Sequence, residues 1–398
     1  MTLTAAVQVH SLPMTRPEVL PGAPASRRLV CFCSDIADAT TLKRIQQFVD
    51  NGYSVLVFGF QRTRSPNEAD SAANIVVLGK TVDGKYWQRL AALLGAIPVV
   101  FRHRKALKTA SVFHARNLDQ LLLAFFARFV SGKAVPVTYE VLDIPAIMVG
   151  SRLASALMRS IERMLLSRTH LLVVSSPAFH REFFAAIQGY RRQWLLMENR
   201  LYPPPPRIGW PERSPGRSKR WVVTYSGTIR GDETFNLIVR LADRLRHKVE
   251  FRFRGILTTV AKSAFDDALG KYENISYGGP YTPHRDLEEI YCDSDFAWAI
   301  DLEHRNHNSR WLLPCRLYEA GFFGVPCLAV HGFELGSLLE QKGIGWTFDA
   351  PLEDEIVKFF EALSWEEYQA MRQRLRPLSS SMFVAGNDVQ KLCAAIVD

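Results

Sequence analysis

The sequence predicts an α/β protein that contains two doubly wound parallel sheets. Short apolar segments alternate with amphipathic helical segments along most of the chain, which is the pattern of βαβ units. A segment dense in Pro, Gly and Arg, residues 203–220, interrupts this alternation and predicts a linker between two halves. The length of 398 residues is sufficient for two domains, each with its own core.

The first half begins after residues 1–27, which are rich in Pro, Ser and Ala without periodicity and predict a disordered tail. The first domain is expected to cover residues 28–202. Its apolar runs predict strands at 28–33, 53–60, 74–78, 112–115, 135–142 and 170–175. Helical periodicity between them predicts helices around 42–49, from 86 onward, at 118–129 and at 151–166.

The second half is expected to form a domain over residues 221–375, followed by a crossing segment at 376–398. Strands are predicted at 221–225, 249–253, 275–278, 296–300 and 327–330. Helices are predicted at 233–245, 261–269, 286–291, 364–375 and 389–396. No internal repeat is evident, so the two halves are related only by their alternating pattern.

The composition is that of a soluble globular protein, with 47% hydrophobic and 22% charged residues. The most apolar segment, residues 91–101, is shorter than the roughly 18 residues of a membrane span and contains Pro98. The N-terminus lacks the apolar region of a secretory signal. Six cysteines without metal or disulfide spacing are expected to be small buried residues, which suits a reducing cytoplasm.

The net charge of +9 indicates an anionic partner. No zinc finger, RNA-binding signature or repeat of basic and aromatic residues is present, so nucleic acid is not expected. An anionic membrane surface or a lipid diphosphate fits better. The basic segment 102–108 and the helix at 151–166 could rest on an anionic leaflet. The alternative is that this helix packs on the core and turns a basic face to solvent.

The most informative segment, residues 312–330, reads LLPCRLYEAGFFGVPCLAV. Pro314 occupies an expected first helical position, where a missing N–H costs nothing. Gly324 and Pro326 are expected to end the helix, and the apolar CLAV predicts a buried parallel strand. The segment therefore predicts a short helix that leads directly into the sheet.

Arg316 and Glu319 are three residues apart and share one face of this helix. A cation at a helix N-terminus is electrostatically unusual unless an anion docks there. A carboxylate one turn later suits a pair of neighbouring hydroxyls, so a diphosphate joined to a ribose would satisfy both side chains. The alternative is an ordinary surface salt bridge between the two.

This pattern, Pro-x-Arg-x-x-Glu followed by Gly-x-Pro and an apolar strand, resembles the donor-binding helix of GT-B glycosyltransferases. The resemblance implies two Rossmann-like domains that face a central cleft, with a C-terminal helix that crosses back. It also implies that Arg316 meets the donor phosphates and Glu319 the ribose. Many members carry a second Glu eight residues earlier, where this chain has Trp311. A retaining mechanism is therefore not implied, and Trp311 is either a packing or a stacking residue.

The segment 226–231, SGTIRG, follows the first predicted strand of the second half and resembles the GT-B loop at the domain cleft. A glycine-rich turn between strand and helix lets backbone amides approach phosphate. We expect Gly227 and Thr228 to line the donor site and Arg230 to contact the diphosphate. The alternative is a plain turn with an exposed arginine.

Two further loops follow predicted strands and are candidates for donor contacts. Tyr281 either stacks on the base or packs on the domain surface. Ser309 is a candidate for bonding sugar hydroxyls. His304 and His307 have a spacing compatible with a metal on a helix, but no third ligand accompanies them, and we expect no metal.

The first half supplies a candidate base. Residues 138–143, TYEVLD, resemble the Tyr-x-x-x-Asp of the inverting glucuronosyltransferase of xanthan assembly. Inverting transfer needs one carboxylate within hydrogen-bond reach of the acceptor hydroxyl. Asp143 is the first candidate for this base and Glu140 the second. The alternative is that Asp143 caps a turn before Ile-Pro.

His114, Arg116 and Asn117 end the fourth predicted strand, close to the same crevice by topology. They are candidates for contacts with the acceptor's hydroxyls or phosphate. The alternative is ordinary loop polarity without a ligand.

The chain as a whole resembles the exopolysaccharide-assembly glycosyltransferases of the succinoglycan type. That resemblance implies a UDP-hexose donor with glucose as the first candidate, a lipid-linked oligosaccharide acceptor and a β-linked product. It also implies a cytoplasmic enzyme, peripheral on the inner face of the plasma membrane. Arg316 and Arg230 would neutralise the diphosphate, so neither a metal nor another cofactor is expected. The alternatives are a UDP-sugar epimerase and a non-enzymatic protein that binds polyanions or membrane.

Overall fold

The computed structural model describes residues 27–62, 73–81, 86–205, 210, 220–282 and 285–397. The first domain is built on a seven-stranded parallel sheet with the order β3-β2-β1-β4-β5-β6-β7. Its strands are β1 Arg27–Cys33, β2 Tyr53–Arg62, β3 Asn74–Thr81, β4 Val112–Arg116, β5 Val137–Val141, β6 Leu171–Val174 and β7 Trp194–Leu196.

The first domain's helices cover both faces of this sheet. They are α1 Ala39–Asp50, α2 Tyr86–Arg102, α3 Arg104–Leu107, α4 Leu118–Ser131, α5 Ala146–Val149 and α6 Leu153–Leu166, with a π-helix at Phe179–Ala185. The strand order reverses after β3, so right-handed crossovers place α1 on one face and α2, α4 and α6 on the other. Alternate residues of β1 follow this division: Phe32 packs with the second group, and Cys31 faces the side of α1.

The second domain is built on a six-stranded parallel sheet with the order β10-β9-β8-β11-β12-β13. Its strands are β8 Trp221–Ile229, β9 Val249–Leu257, β10 Ile275–Tyr277, β11 Phe296–Trp298, β12 Cys327–Val330 and β13 Gly345–Phe348. Its helices are α7 Asp232–Arg244, α8 Lys262–Lys271, α9 Leu287–Cys292, α10 Asn308–Trp311, α11 Cys315–Phe322, α12 Glu334–Lys342, α13 Leu352–Ala362 and α14 Trp365–Leu375. The fold class is therefore α/β with two doubly wound domains, as the sequence predicts.

The chain ends on the first domain. After a short 3-10 turn at Arg376–Leu378, the last helix, α15 Asp388–Val397, buries Val389, Leu392 and Ile396 in the cluster formed by β1, β2 and α1. The return of the C-terminal helix across the two domains is confirmed.

Several elements differ from the sequence-based expectation. The π-helix, β7, α12, β13 and α13 are among the elements that were not predicted. Strands β7 and β13 have only three and four residues, which is too short to show a period. Strand β8 continues to Ile229, four residues beyond the predicted end. Arg27 belongs to β1 rather than to the tail. Residues 1–26 and most of the predicted linker lie outside the described residues.

Trp311 and Leu312 join the two domains: although they belong to the second half, both pack against the core of the first domain. The hydroxyl of Ser176 in the first domain also donates to the carbonyl of Trp311. Trp311 is therefore a packing residue between domains. Within the described ranges, no helix is both long and apolar enough to cross a membrane.

Candidate active site

The site lies where the carboxyl ends of the two parallel sheets face each other. In open α/β sheets, ligands bind beyond the carboxyl ends of strands at the point where the strand order reverses. In the second domain this point is between β8 and β11, and in the first domain it is between β1 and β4. The predicted donor and acceptor residues come from segments that follow these strands.

Arg316 is held at the donor side of this cleft. Its Nη1 donates to the carbonyl of Trp298 at 2.7 Å, and its guanidinium carbon lies 4.3 Å from the centroid of the Tyr225 ring. Pro314 is the N-cap of α11, so Arg316 is in the first turn of that helix. Among the described carboxylates, none forms an ion pair with Arg316. The guanidinium is thus oriented by a carbonyl and an aromatic ring, and its charge remains available to an anion.

Two glycines on the neighbouring strands β8 and β9 lie beside the Arg316 guanidinium. Gly227 has φ +106°, and a Cβ built on it would lie 3.7 Å from Nη2 of Arg316. Gly255 opposite it in β9 has φ +137°, and a Cβ there would lie 1.7 Å from the carbonyl oxygen of Gly227. Only glycine fits at Gly255. The prediction that residues 226–229 form a turn is wrong, because Gly227 and the exposed Thr228 lie within β8.

Glu319 lies one turn after Arg316 and is 9% exposed. It accepts a hydrogen bond from the Tyr291 hydroxyl at 3.2 Å. Burial raises the pKa of its carboxyl, while Lys43 of the first domain, the Tyr291 bond and Arg316 act in the opposite direction. Glu319 makes no salt bridge with Arg316, so the surface-pair alternative is wrong. The Glu319 carboxylate is instead almost fully buried among the residues that line the cleft.

Tyr281 joins the same group. It is half-buried, and burial raises the pKa of its hydroxyl well above the ordinary value, with Glu319 adding to the effect. Its side chain packs on the second domain's core, in which Tyr291 bonds the Ser226 hydroxyl at 2.7 Å. The structure thus brings Tyr281, Arg316, Glu319 and Gly227 together from three separate segments, since Arg316 and Glu319 share α11.

Arg230 also faces the cleft, but its charge is already compensated. Its Nη2 bonds Asp301 at 2.7 Å and its Nε lies 3.2 Å from Glu303. The Ser309 hydroxyl donates to the same Asp301 at 3.0 Å and accepts from the backbone N–H of His304. Arg230 and Ser309 therefore brace the loop after β11. Arg316 differs from Arg230 because no described carboxylate pairs with it.

Asp143 lies at the first domain's side of the cleft, directly after β5. Its carboxylate is accessible to solvent, and its Oδ1 accepts a bond of 2.9 Å from the side-chain amide of Asn308 in the second domain. Asn308 in turn accepts from the backbone N–H of Ile144 at 2.9 Å. Crowding by surrounding protein atoms raises the pKa of Asp143, and Arg230 acts against this rise. Asp143 is thus an oriented carboxylate whose proton affinity exceeds that of an ordinary aspartate.

Glu140, the second candidate base, is enclosed in the first domain and is 1% exposed. Its carboxylate pairs with Arg44 at 2.8 Å, with Arg116 at 3.0 Å and with His114 at 3.0 Å. Although burial alone would raise it, Arg116 and Arg44 hold the pKa of Glu140 well below its usual range. The geometry corrects the expectation for Glu140, because a buried and fully paired carboxylate cannot reach an acceptor hydroxyl.

Two of the three expected acceptor residues are also buried in the first domain, and the expectation for them is wrong. His114 has no exposed surface and bonds Thr138 at 2.8 Å, so it cannot touch an acceptor. Arg116 is 2% exposed and donates to Thr41 at 2.6 Å. Both are held by the Glu140 network. Asn117 differs: it is partly exposed with φ +75° at the start of α4, and it remains a candidate for an acceptor contact.

Sequence reasoning missed several polar residues of the cleft. Asp301 follows the apolar run of β11, and this position at a strand's carboxyl end was a usable signal. Lys43 donates to the carbonyls of Asn199 and Arg200 at 2.9 Å and faces Glu319 across the domains. No local pattern marks Lys43, because its partners are far away in sequence.

No group of three or more His, Cys, Asp or Glu residues suited to a metal occurs among the described residues. His304 and His307 stack on each other with ring centroids 5.0 Å apart, rather than converging on one point.

Comparison with known proteins supports a family assignment. The chain is 31% identical over 325 residues to the succinoglycan biosynthesis protein ExoL of Rhizobium meliloti (strain 1021), a match that covers 80% of each chain. The chain belongs to the ExoL family. No protein-family model matches this ExoL-family chain.

Solved structures place the ExoL-family chain among GT-B glycosyltransferases. Anabaena Alr3699/HepE, in a complex with UDP and glucose, is 14% identical with a TM-score of 0.66, and the match covers 92% of this chain and 99% of HepE. WaaG, a glycosyltransferase involved in lipopolysaccharide biosynthesis, is 14% identical with a TM-score of 0.64 over 92% of this chain and 99% of WaaG. At this identity the likeness concerns the fold. By family the chain therefore belongs with ExoL, and by fold it is a GT-B protein.

Proposed function

We propose that this ExoL-family chain is a glycosyltransferase that transfers a hexose, with glucose as the first candidate, from a UDP-sugar to a lipid-linked oligosaccharide in exopolysaccharide synthesis. The observation that carries the proposal is the pair formed by Arg316, which has no carboxylate partner within the described ranges, and the buried Glu319 one turn later. The relative ExoL is named for succinoglycan biosynthesis, and the structural neighbour HepE was solved with UDP and glucose.

The donor would bind with its diphosphate against the Arg316 guanidinium and its ribose hydroxyls against the Glu319 carboxylate. Gly227 has no side chain that would lie against the Arg316 guanidinium, and the phosphates would use this space. A cation in this position stabilises the charge that develops on the leaving diphosphate as the sugar departs. Neutralisation by Arg316, with Lys43 nearby, lets us propose a reaction that does not require a metal.

The acceptor would approach from the first domain, where Asp143 removes the proton of its hydroxyl. The hydroxyl oxygen forms a bond to the anomeric carbon while the bond from that carbon to the diphosphate oxygen breaks. The proton stays on Asp143, and the electron pair leaves with UDP. Attack from the face opposite the diphosphate inverts the anomeric centre, which would turn an α-linked donor into a β-linked product. The raised pKa of Asp143 favours this proton transfer.

The experiment that tests the proposal combines purified protein, a panel of radiolabelled UDP-hexoses and a lipid extract that contains lipid-linked oligosaccharides. We expect label from one UDP-hexose to enter the lipid fraction and UDP to be released in equal amount. Incubation of the same donors without lipid separates the alternatives, since an epimerase would convert the sugar with no acceptor. Absence of both transfer and conversion with every donor would contradict an enzymatic role.

A further inference from the structure

Large apolar side chains are exposed mainly on one face of the first domain. Nine of them lie on α2, α4 and α6, and the second domain exposes a single large apolar residue, Tyr277, among its described residues. We call the nine the outer helix face: Leu90, Leu94, Ile97, Phe101, Leu122, Phe129, Leu153, Leu157 and Met164. Scattered exposed apolar residues are normal, but a concentration on one face marks an interaction surface.

The nine side chains lie on three helices that pack side by side. Helix α4 packs between α2 and α6, on the same side of the sheet. The opposite sides of these helices already fill the core through residues such as Leu121, Val100 and Leu165. The apolar residues of the outer helix face are therefore not needed to fill the core, because other residues of the same helices already do so. Phe129 is 81% exposed and Leu153 is 90% exposed, so both side chains extend into solvent.

The charge around this surface is positive. Helices α2, α3, α4 and α6 carry two acidic residues: Asp119 is paired with Arg89 at 3.0 Å, and Glu162 is 2% exposed. Basic side chains border the apolar residues at both ends of the helices. They are Arg102, Arg104, Lys105, Lys108, Arg128, Lys133, Arg152 and Arg168. The described residues of these four helices thus present cations around an apolar surface and no exposed carboxylate, which is complementary to anionic phospholipid.

A groove at one end of the face combines both features. It has a volume of about 600 Å³ and is lined by Phe125, Phe129, Arg128, Lys133 and Arg168. The basic groups can meet a headgroup phosphate here while the two aromatic rings meet acyl chains.

The same surface begins next to the candidate base. The chain passes from Asp143 directly into α5 and α6, and the exposed Leu153 is the first residue of α6. At this end, a bilayer on the outer helix face would be next to the acceptor side of the cleft.

We propose that the outer helix face rests on an anionic bilayer and that the bilayer presents the lipid-linked acceptor to Asp143. The bilayer contact stands on the surface alone, whereas the presentation of the acceptor rests on the proposed function. A second copy of the chain is a poorer occupant, because a symmetric pairing of this face would oppose cations to cations, and the described residues of α2, α3, α4 and α6 offer no exposed carboxylate to compensate them.

The test is sedimentation of the full-length protein with vesicles of neutral lipid and with vesicles that contain about 30% anionic lipid. We expect binding to the anionic vesicles and its loss at high salt. The triple variant R128Q/K133Q/R168Q should bind about 100-fold more weakly, since each charge contributes about fivefold. The variant F129S/L153S should also bind more weakly.

The matched control is K262Q/K271Q, which removes two charges from α8 of the second domain and should bind like the wild type. Calorimetric UDP affinity should be equal in all these proteins, so a failure of donor binding is distinguishable from a failure of membrane binding. Vesicle binding that is absent in the wild type, or undiminished in both face variants, would overturn the proposal. A dimer in solution that F129S/L153S dissociates, without any effect on vesicles, would assign the face to a second copy instead.

Discussion

Replacement of Arg316 by alanine is the most direct probe of the donor site. The guanidinium has no carboxylate partner among the described residues, so its removal leaves no buried acid unpaired. The Trp298 carbonyl loses one bond, and Tyr225 loses a stacked cation. We therefore expect a folded protein whose defect is confined to binding of the phosphates.

The magnitude follows from the kind of contact that is lost. A charge-assisted hydrogen bond to phosphate contributes roughly 1.5–3 kcal/mol, which corresponds to a loss of about 10- to 150-fold in UDP affinity. Lysine at this position retains the charge without the planar fork, so Arg316→Lys should lie between the wild type and Arg316→Ala.

Isothermal titration calorimetry with UDP and with uridine isolates the phosphate contact. UDP affinity should fall in Arg316→Ala, and uridine affinity should be the same as in the wild type. Equal losses for both ligands would place Arg316 at the nucleoside. No loss for either would remove Arg316 from the donor site and, with it, the main support for the proposed reaction.

Three further predictions concern the base, a buried carboxyl and a glycine. Asp143→Asn should abolish transfer while calorimetric UDP affinity stays unchanged, and appreciable residual transfer would move the base elsewhere. Burial raises the pKa of Glu162 to about 7, so its stabilising contribution is present below the unfolded value and lost as pH rises through about 7. As pH rises from about 5.5 to about 8, the free energy of unfolding of Glu162→Gln, measured by urea denaturation, should therefore increase by about 2 kcal/mol relative to that of the wild type. The control is Glu361→Gln, which changes an exposed glutamate. Gly255→Ala should lose roughly 2–3 kcal/mol of stability and weaken UDP binding, because its Cβ would collide with Gly227. Gly52→Ala, with φ +83° and open space around it, measures the backbone cost alone, and an equal loss in both variants would refute the collision.

The secondary structure was predictable wherever a segment was long and periodic. Helix α4 and strand β2 were expected almost at their observed bounds, since each has a continuous apolar pattern that its burial explains. Strand β7 has three residues and an exposed first residue, so no period could reveal it. The continuation of β8 through Gly227 was hidden for a different reason. Glycine and serine usually signal a turn, and only the pairing of Gly227 with Gly255 shows that the strand continues.

In the candidate site, too, the residues within one local element were predictable and those that depend on distant partners were not. Arg316 and Glu319 could be named from the sequence because a single helix carries both, and helix geometry determines which residues share a face. The roles of Glu140 and His114 were predicted wrongly. An ionisable residue at the end of a strand gives the same sequence pattern whether its side chain faces a cleft or a buried arginine. Burial and ion pairing with Arg44, which is 96 positions away from Glu140, decided their role.

The sequence by itself determined the two α/β domains, the family resemblance and the helix that carries the donor-binding pair, because periodicity and short-range spacing are local properties of the chain. The tertiary structure decided which charges remain free. It paired Arg230 with Asp301 and Glu303, gave Arg316 no carboxylate from the part of the chain that the structure describes, and brought Asn308 of one domain to Asp143 of the other. These outcomes depend on contacts between residues far apart in sequence, and such contacts arise only when the chain is folded.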